Sequence, residues 1–127
     1  MLTRALSETE RRDDPVWKIN LITLYWHLSS NQVALQRHQD VIESATAGLE
    51  LAVELNAVTR IAEALHMRAS GHAGVGDTVS ALEDITDALE RLGNLSEGSH
   101  SQKLRGNLLE LRGLILGSDG GDLVVSD

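Results

Sequence analysis

Five histidines are the residues with the clearest potential for chemistry, and two of them follow a glutamate by three positions. Glu63 with His66 and Glu97 with His100 both match Glu-x-x-His, a spacing that places two side chains on one face of a helix. Di-iron helical bundles use this motif twice, together with a carboxylate from each of two other helices. Here the second copy falls in a Gly/Ser-rich segment predicted to be a loop, and no apolar helix stripe contains a single interrupting acid. The sequence therefore predicts no metal site and no cofactor.

Other arrangements that carry out catalysis are missing from the sequence. It contains no His-Glu-x-x-His motif, no phosphate-binding glycine loop and no nucleophile elbow. Gly74-Val75-Gly76 lacks the third glycine and the preceding strand of a dinucleotide site, so it is interpreted as a turn between helices. The absence of cysteine excludes disulfides, thiolate metal sites and a thiol nucleophile. No catalytic residue is predicted, and we expect that the protein is not an enzyme.

Composition and charge limit the classes of structure and partner. A chain of 127 residues has the length of one domain, and 42% hydrophobic residues are enough for a core. Only 2% of the residues are aromatic, so Leu, Ile, Val and Ala must fill that core, which favours helices over a β-sandwich. The net charge of −8 would repel phosphate backbones, so nucleic acid is not expected as a partner.

The start of the chain bears on localisation. Charges at Arg4 and Glu8 precede any apolar run, which is not typical of a signal peptide. The longest apolar-leaning stretch, 16–28, is interrupted by Lys18 and His27 and is too short to cross a bilayer. We therefore expect a soluble, cytoplasmic protein that does not bind membranes.

Apolar spacing and cap residues predict five main helices. Asp14-Pro15 is a favoured helix start, and Asp77 is expected to cap the fourth helix. Ser29-Ser30-Asn31 is interpreted as a stop and restart, and Gly93-Asn94 as a left-handed C-cap. The expected helices cover about 15–29, 32–55 with a bend near 37–40, 57–73, 78–92 and 101–116. They form one domain over 1–117, with a short frayed helix at 1–13 and a flexible tail at 118–127.

The last two helices show one apolar stripe each. The polar face of the fourth helix is predicted to be solvated, with the acids Glu83, Asp84, Asp87 and Glu90 facing water. The fifth helix contains Gly106 and Gly113, which lower its intrinsic stability. These two glycines indicate either close packing or a weak terminal helix.

The first helix is apolar on two faces. One stripe contains Trp17, Leu21 and Leu24, and the other contains Ile22 and Trp26. A helix of this kind is covered on two sides in the folded protein. Packing within the fold provides one cover, and either the N-terminal segment or a second subunit provides the other. We predict self-association, as a homo-oligomer, through Trp17, Leu21, Leu24 and Trp26.

The second and fourth helices share a packing pattern at an interval of 36 residues. The matching positions are Ala45, Leu49 and Ala52 in one helix and Ala81, Ile85 and Ala88 in the other. Small residues let neighbouring helices approach, and the larger residue between them fills the gap. Chance similarity between two amphipathic helices is the alternative, but helix order, turn glycines and period together favour a helical repeat.

This pattern resembles the tetratricopeptide-repeat family, in a divergent, bacterial-style form. The similarity lies in Gly76-Asp77 before the fourth helix, in Ala81-Leu82, Ile85 and Ala88-Leu89 within it, and in Leu65 and Ala69 of the third helix. Leu111-Arg112-Gly113 suggests a weaker third unit, at an interval of 44. The chain departs from the family at Arg68 and His72, where an aliphatic and an aromatic residue are usual. It also lacks the proline that normally ends a unit, and its intervals differ from the usual 34.

The resemblance implies a superhelix of antiparallel helix-turn-helix units whose first helices line a binding surface. Carried over by position, that surface would contain Glu63, His66, Met67, Ser70, Asn107 and Glu110. A polar pair beside a flexible Met suits an extended peptide or a partner helix. The alternative is that so short an array uses no groove.

The sequence favours a non-enzymatic, all-α repeat module that binds a protein or peptide and could belong to a regulatory assembly. A structural bundle that self-associates through its first helix is the second interpretation. A carboxylate–histidine metal enzyme is the third. No feature of the sequence identifies the partner or the oligomeric state.

Overall fold

The described part of the chain is entirely helical. The structure, a computed structural model, describes residues 15–93 and 98–119. Its helices are α1 (Pro15–Ala34), α2 (His38–Glu54), α3 (Val58–Gly74), α4 (Thr78–Leu92) and α5 (Ser99–Asp119), and the described residues contain no strand. The expectation of an all-α fold with five main helices is confirmed. The predicted helix at 1–13, the cap at Asp14 and residues 120–127 of the predicted tail lie outside the described residues. The predicted start of that tail at 118 is wrong, because Ser118 and Asp119 belong to α5.

The first helix is longer than expected, and the predicted break at Ser29-Ser30-Asn31 is wrong. Helix α1 continues to Ala34, and Ser29 is buried within it. Because α1 packs along α2 and also contacts α3, the face that carries Ile22 and Ser29 is covered by two helices. Burial of that face outweighs the poor helix propensity of serine, which amounts to roughly half a kcal/mol per residue. The bend expected near 37–40 is instead the turn between α1 and α2.

Three turns of the same construction join α1 through α4. Each turn has three residues, and the middle one has a positive φ, at Gln36 (59°), Asn56 (53°) and Gly76 (88°). In each turn the third residue donates its N–H to the carbonyl five residues earlier, at 2.9, 3.0 and 2.8 Å. Gly and Asn enter the left-handed region readily, whereas Gln carries no such preference. The sequence therefore indicated the glycine turn more clearly than the other two.

The predicted caps at the two ends of α4 compare differently with the structure. Asp77 caps the helix as predicted, because its Oδ1 accepts a hydrogen bond from the backbone N–H of Ser80 at 3.1 Å. Hydrogen bonding with Ser80 is also the largest cause of a lowered pKa at Asp77. The left-handed cap was expected at Gly93-Asn94; Gly93 is right-handed, with a φ of −63°, and Asn94 lies outside the described residues.

Helix α3 is the centre of the fold. Among the described helices it alone contacts all four others, most extensively α2 and α4. Ile61, Ala62, Leu65 and Ala69 are its buried apolar positions in the main core. Five of the six repeat positions on α2 and α4 are buried, and the sixth, Leu49, packs partly buried against the core. The small-large-small pattern therefore marks the buried faces of α2 and α4.

The glycines show where helices approach closely. A Cβ atom on Gly71 of α3 would lie 2.8 Å from Ile42 Cγ1 and 3.0 Å from the carbonyl oxygen of His38, so the backbones of α2 and α3 nearly touch there. In contrast, a Cβ on Gly106 or Gly113 of α5 would meet nothing within 4 Å. Close packing is therefore the wrong interpretation of these two glycines, and low helix propensity is the right one.

One acid of α4 is buried, contrary to the expectation that all four face water. Asp84 is 7% exposed, whereas Glu83 and Glu90 are exposed and Asp87 is half-buried. Asp84 accepts two hydrogen bonds from Arg68 of α3, from Nε to Oδ2 and from Nη2 to Oδ1, both at 2.9 Å. This hydrogen bonding raises the pKa of Arg68. The paired arginine compensates for removing the carboxylate from water.

Two neighbours extend this pair into the Asp84 cluster, which consists of Thr46, Arg68, His72 and Asp84. His72 Nε2 lies 3.7 Å from Asp84 Oδ2, and Arg68 Nη1 donates to Thr46 Oγ1 at 3.5 Å. The cluster therefore joins α2, α3 and α4. It also explains the two departures from the repeat pattern in α3, because Arg68 and His72 both face the buried carboxylate.

Candidate binding groove

Helices α1, α3 and α5 form a groove with a cavity of about 290 Å³. Four of the six residues predicted for a partner-binding surface line it, namely Glu63, His66, Met67 and Asn107. Residues that the sequence did not assign to that surface complete the lining, namely Trp26 of α1 and His100, Lys103 and Leu104 of α5. The fold thus brings residues from three separate helices to one concave site.

Ser70 and Glu110 do not line this cavity. Ser70 is half-buried outside it, and Glu110 is exposed on α5. The 44-residue alignment treated α5 as a full copy of α3. However, α5 packs more extensively on α4 than on α3, and only its residues from His100 to Asn107 reach the groove.

Glu63 lies in the groove as a fully paired carboxylate. Its residue exposure is 7%. Oε1 accepts a hydrogen bond from Arg60 Nη1 at 3.0 Å, and Oε2 lies 2.9 Å from His100 Nε2. These two partners offset the cost of burying an acid. Glu63 therefore joins α3 to α5 and does not present an open carboxylate to the groove.

His100 belongs to the groove although the sequence placed it in a loop. Helix α5 begins at Ser99, earlier than expected, so His100 lies in its first turn. The two Glu-x-x-His motifs consequently meet crosswise, with Glu63 of the first motif beside His100 of the second. Glu97 lies outside the described residues. The second motif was the sequence signal that could have identified His100.

The remaining lining residues provide both polar and apolar contacts. Burial lowers the pKa of His66, because the imidazolium form loses its hydration there. The neutral imidazole offers one hydrogen-bond donor and one acceptor. Met67 is half-buried, and its unbranched side chain adapts to different shapes. Lys103 and Asn107 are exposed on α5 and can donate hydrogen bonds to a bound molecule.

A second, smaller cavity adjoins the groove, between α1, α2 and α3. This lower pocket has a free volume of about 10 Å³ and shares Trp26, Glu63 and Met67 with the groove. Small residues of α2 form one wall, and Ser29 of α1 forms another. Within the described part of the chain, Ser29 Oγ is the only buried side-chain oxygen or nitrogen without a hydrogen-bond partner. Ser29 was predicted to be part of a helix stop, and no sequence pattern indicated this pocket.

The residues predicted for self-association fall on different sides of α1. Trp26 lines the groove, Trp17 and Leu21 are half-buried, and Leu24 is 62% exposed. The exposed apolar surface of α1 also contains Val16, Ile19, Leu28 and Val33. None of the described helices has the length and apolarity needed to cross a membrane.

Two of the three acid–histidine contacts in the described residues also involve an arginine, and the third joins His72 Nδ1 to Asp77 Oδ2 at 4.0 Å. Glu63 binds Arg60 as well as His100, and Asp84 binds Arg68 beside His72. In residues 15–93 and 98–119, no group of three or more histidines and carboxylates is placed to hold a metal ion. Comparison of the chain with protein-family models, with curated proteins and with solved structures finds no match.

Proposed function

We propose that the protein is a non-enzymatic module that binds a segment of a partner protein in the groove between α1, α3 and α5. The observation that carries this proposal is the convergence of Trp26, Met67 and Leu104 with Lys103 and Asn107 on one cavity. An apolar surface bordered by a few hydrogen-bonding groups is typical of sites that bind peptides. The resemblance to tetratricopeptide repeats supports the same location, because it implies binding on the first helices of the units.

An extended segment suits this groove better than a helix. A bound helix buries a stripe of residues over several turns, at i, i+3, i+4 and i+7. The apolar residues here form one compact patch, in a cavity of about 290 Å³. The groove therefore holds a few side chains of an extended chain.

The charge of the groove favours an acidic residue in that segment. Lys103 is exposed on α5, while Glu63 is buried and neutralised by its partners. The chain as a whole carries a net charge of −8, so Lys103 is a local exception. A carboxylate of the partner would be attracted most strongly to a position beside Lys103. This electrostatic attraction would weaken with added salt.

Selection from a displayed library of random peptides tests the groove. Asn107→Trp places a large side chain in the cavity and should abolish the enrichment of peptides that bind the wild-type protein. Leu109→Trp is the matched control, because Leu109 is 44% exposed on the same helix and does not line the groove. Circular dichroism must show that both variants remain helical. Equal enrichment by both variants would show that the groove is not the binding site.

Self-association is a second candidate function, supported by a separate observation. The exposed apolar residues of α1, including Leu24 at 62% and Leu28 at 42%, form a surface that no other described helix covers. Large exposed apolar surfaces commonly mark protein interfaces. A second copy of the chain would bury this surface, and sedimentation equilibrium would detect the resulting dimer.

A further inference from the structure

Ser29 has a buried hydroxyl group without a hydrogen-bond partner among the described residues. It is 1% exposed, and its Oγ makes no hydrogen bond to any described residue. Buried polar groups in native proteins are nearly always satisfied, since an unpaired one loses its hydration without compensation. A hydrogen-bonding group that enters the lower pocket would supply the partner that Ser29 Oγ lacks among the described residues.

The size of the lower pocket limits that partner to a very small group. Its free volume of about 10 Å³ is close to the smallest that holds one water molecule. A single hydroxyl group has a similar size, so only the hydroxyl end of a short side chain enters this space and the rest of that side chain stays at the mouth of the pocket. Larger groups would force the three surrounding helices apart. Helices α1 and α2 are already close, because a Cβ added to Gly48 would lie 3.3 Å from Tyr25 Cβ.

A water molecule in this pocket would be poorly held. Buried waters make about three hydrogen bonds on average. Two of the other polar side chains of the lining are already engaged, since Ser44 Oγ donates to Gln32 Oε1 at 2.9 Å and Glu63 is held by Arg60 and His100. A ligand hydroxyl that displaces this water makes the same hydrogen bond to Ser29 and releases the water.

The lower pocket adjoins the groove. Trp26, Glu63 and Met67 line both cavities. Trp26 is supported by an edge contact with His27, with ring centroids 5.1 Å apart. Met67 has a flexible side chain that can move aside at low cost. A group lying in the groove therefore reaches Ser29 past Met67.

We propose that the lower pocket is a specificity subsite of the groove that takes one short hydroxyl-bearing side chain, serine or threonine, of the bound segment. The hydroxyl of that side chain forms a hydrogen bond with Ser29 Oγ and replaces a poorly held water. Alanine at the same position of the ligand would leave Ser29 unpaired, and a long polar side chain would not fit. This inference rests on the proposed function of the groove.

The library selection described for the groove also tests this subsite. We expect serine or threonine to be enriched at one fixed position of the peptides selected by the wild-type protein. Replacing that residue by alanine should weaken binding to the wild-type protein about tenfold, the effect of one lost hydrogen bond. The same peptide change should have little effect on binding to Ser29→Ala, in which the hydroxyl is already absent. Ser29→Val, which also fills the pocket, should lose the preference for serine or threonine.

The possible failures are distinguishable. If selected peptides carry no fixed serine or threonine, or if the alanine peptide loses equal affinity for wild type and Ser29→Ala, the subsite inference is overturned and the groove stands. If enrichment survives Asn107→Trp, the proposed function itself fails. Thermal unfolding verifies the fold of each variant. If Ser29→Val does not fold, the comparison of Ser29→Ala with the alanine peptide is sufficient.

Discussion

Glu63 and Asp84 are two buried carboxylates that each bind an arginine and lie near a histidine. They differ in what they join, because Glu63 connects α3 to α5 whereas the Asp84 cluster connects α2, α3 and α4. Helical periodicity assigned Asp84 to the solvated face. A sequence pattern treats an acid as a surface residue, since it does not show that an arginine on another helix lies within hydrogen-bonding distance.

Asp84→Ala should destabilise the protein strongly. The substitution leaves Arg68 partly buried without its carboxylate, and the loss from breaking such a pair is about 3 kcal/mol. Asp87→Ala is the matched control on the same helix, because its i, i+4 pair with Arg91 has both side chains 40–46% exposed and contributes less than about 0.5 kcal/mol. Urea unfolding measures both changes in the free energy of unfolding.

A double variant separates charge pairing from packing at the same place. Replacing Arg68 by Met together with Asp84→Ala removes both charges and should recover much of the lost stability, because no unpaired charge remains. Equal destabilisation by Asp84→Ala and Asp87→Ala would contradict the role given to the Asp84 cluster.

His66 should make stability depend on pH in the mildly acidic range. Burial lowers its pKa from the usual value of 6.5, so the unfolded chain binds the proton at a higher pH than the folded protein. The contribution of the neutral imidazole is therefore complete above pH 6.5 and is lost as the pH falls from there through the folded pKa. His66→Gln should lose less stability than the wild-type protein between about pH 7.5 and pH 5.5.

The measurement is urea unfolding at several pH values. His27→Gln is the control for the same substitution at an exposed position of α1. Parallel curves for His66→Gln and the wild-type protein would show that burial of His66 has no effect on proton binding.

The helices differ in how tightly they are held. Helices α2 and α3 approach closely at Gly71, where α2 leaves no room for a side chain. Helix α5 buries Leu104, Leu108 and Ile115, but its three glycines, at 106, 113 and 117, face open space. The polar contacts Glu63–His100 and Arg105 Nη2 to the carbonyl of Leu92, at 3.0 Å, supplement this smaller interface.

Alanine at two glycines should change stability in opposite directions. Gly71→Ala would place Cβ against the backbone of α2 and should destabilise the protein by about 1–3 kcal/mol. Gly106→Ala adds only helix propensity in open space and should stabilise it by roughly 0.5–1 kcal/mol. Thermal unfolding of both variants is the measurement. Destabilisation by Gly106→Ala would contradict the finding that a Cβ at this position meets no other atom.

At the scale of the whole molecule, polar and apolar surfaces are distributed unevenly. The chain carries a net charge of −8, yet α1 exposes several large apolar side chains. The groove lies on the inner side of α1, whereas Leu24 does not line it. Partner binding and self-association would therefore use different surfaces, and variants can separate them.

Leu24→Glu should convert a dimer into a monomer if α1 is the self-association surface. A charge at a buried contact position is costly to desolvate. Val79→Glu is the control, because Val79 is 67% exposed on α4 and the substitution adds the same charge at a different surface. Sedimentation equilibrium should give the dimer mass for the wild-type protein and Val79→Glu, and the monomer mass for Leu24→Glu. A wild-type monomer at high concentration would exclude the self-association candidate.

The fold was more predictable than the groove for a physical reason. Helix type and number follow from local periodicity, and the buried positions at the 36-residue interval follow from residue size. Glu63, His66, Met67 and Asn107 were selected by the repeat resemblance and share one cavity. Trp26, His100 and Lys103 were not, because their approach depends on how α1 and α5 pack against α3.

The sequence by itself determined an all-helical chain with a small-large-small packing pattern, since these properties arise from neighbouring residues along each helix. Only the tertiary structure decided that Asp84 is buried, that His100 pairs with Glu63, and that Ser29 ends in a pocket without a partner. Each of these depends on side chains from different helices meeting in space. Local periodicity contains no information about contacts between side chains of different helices. The surroundings of a charged group or a hydroxyl group therefore depend on the tertiary fold.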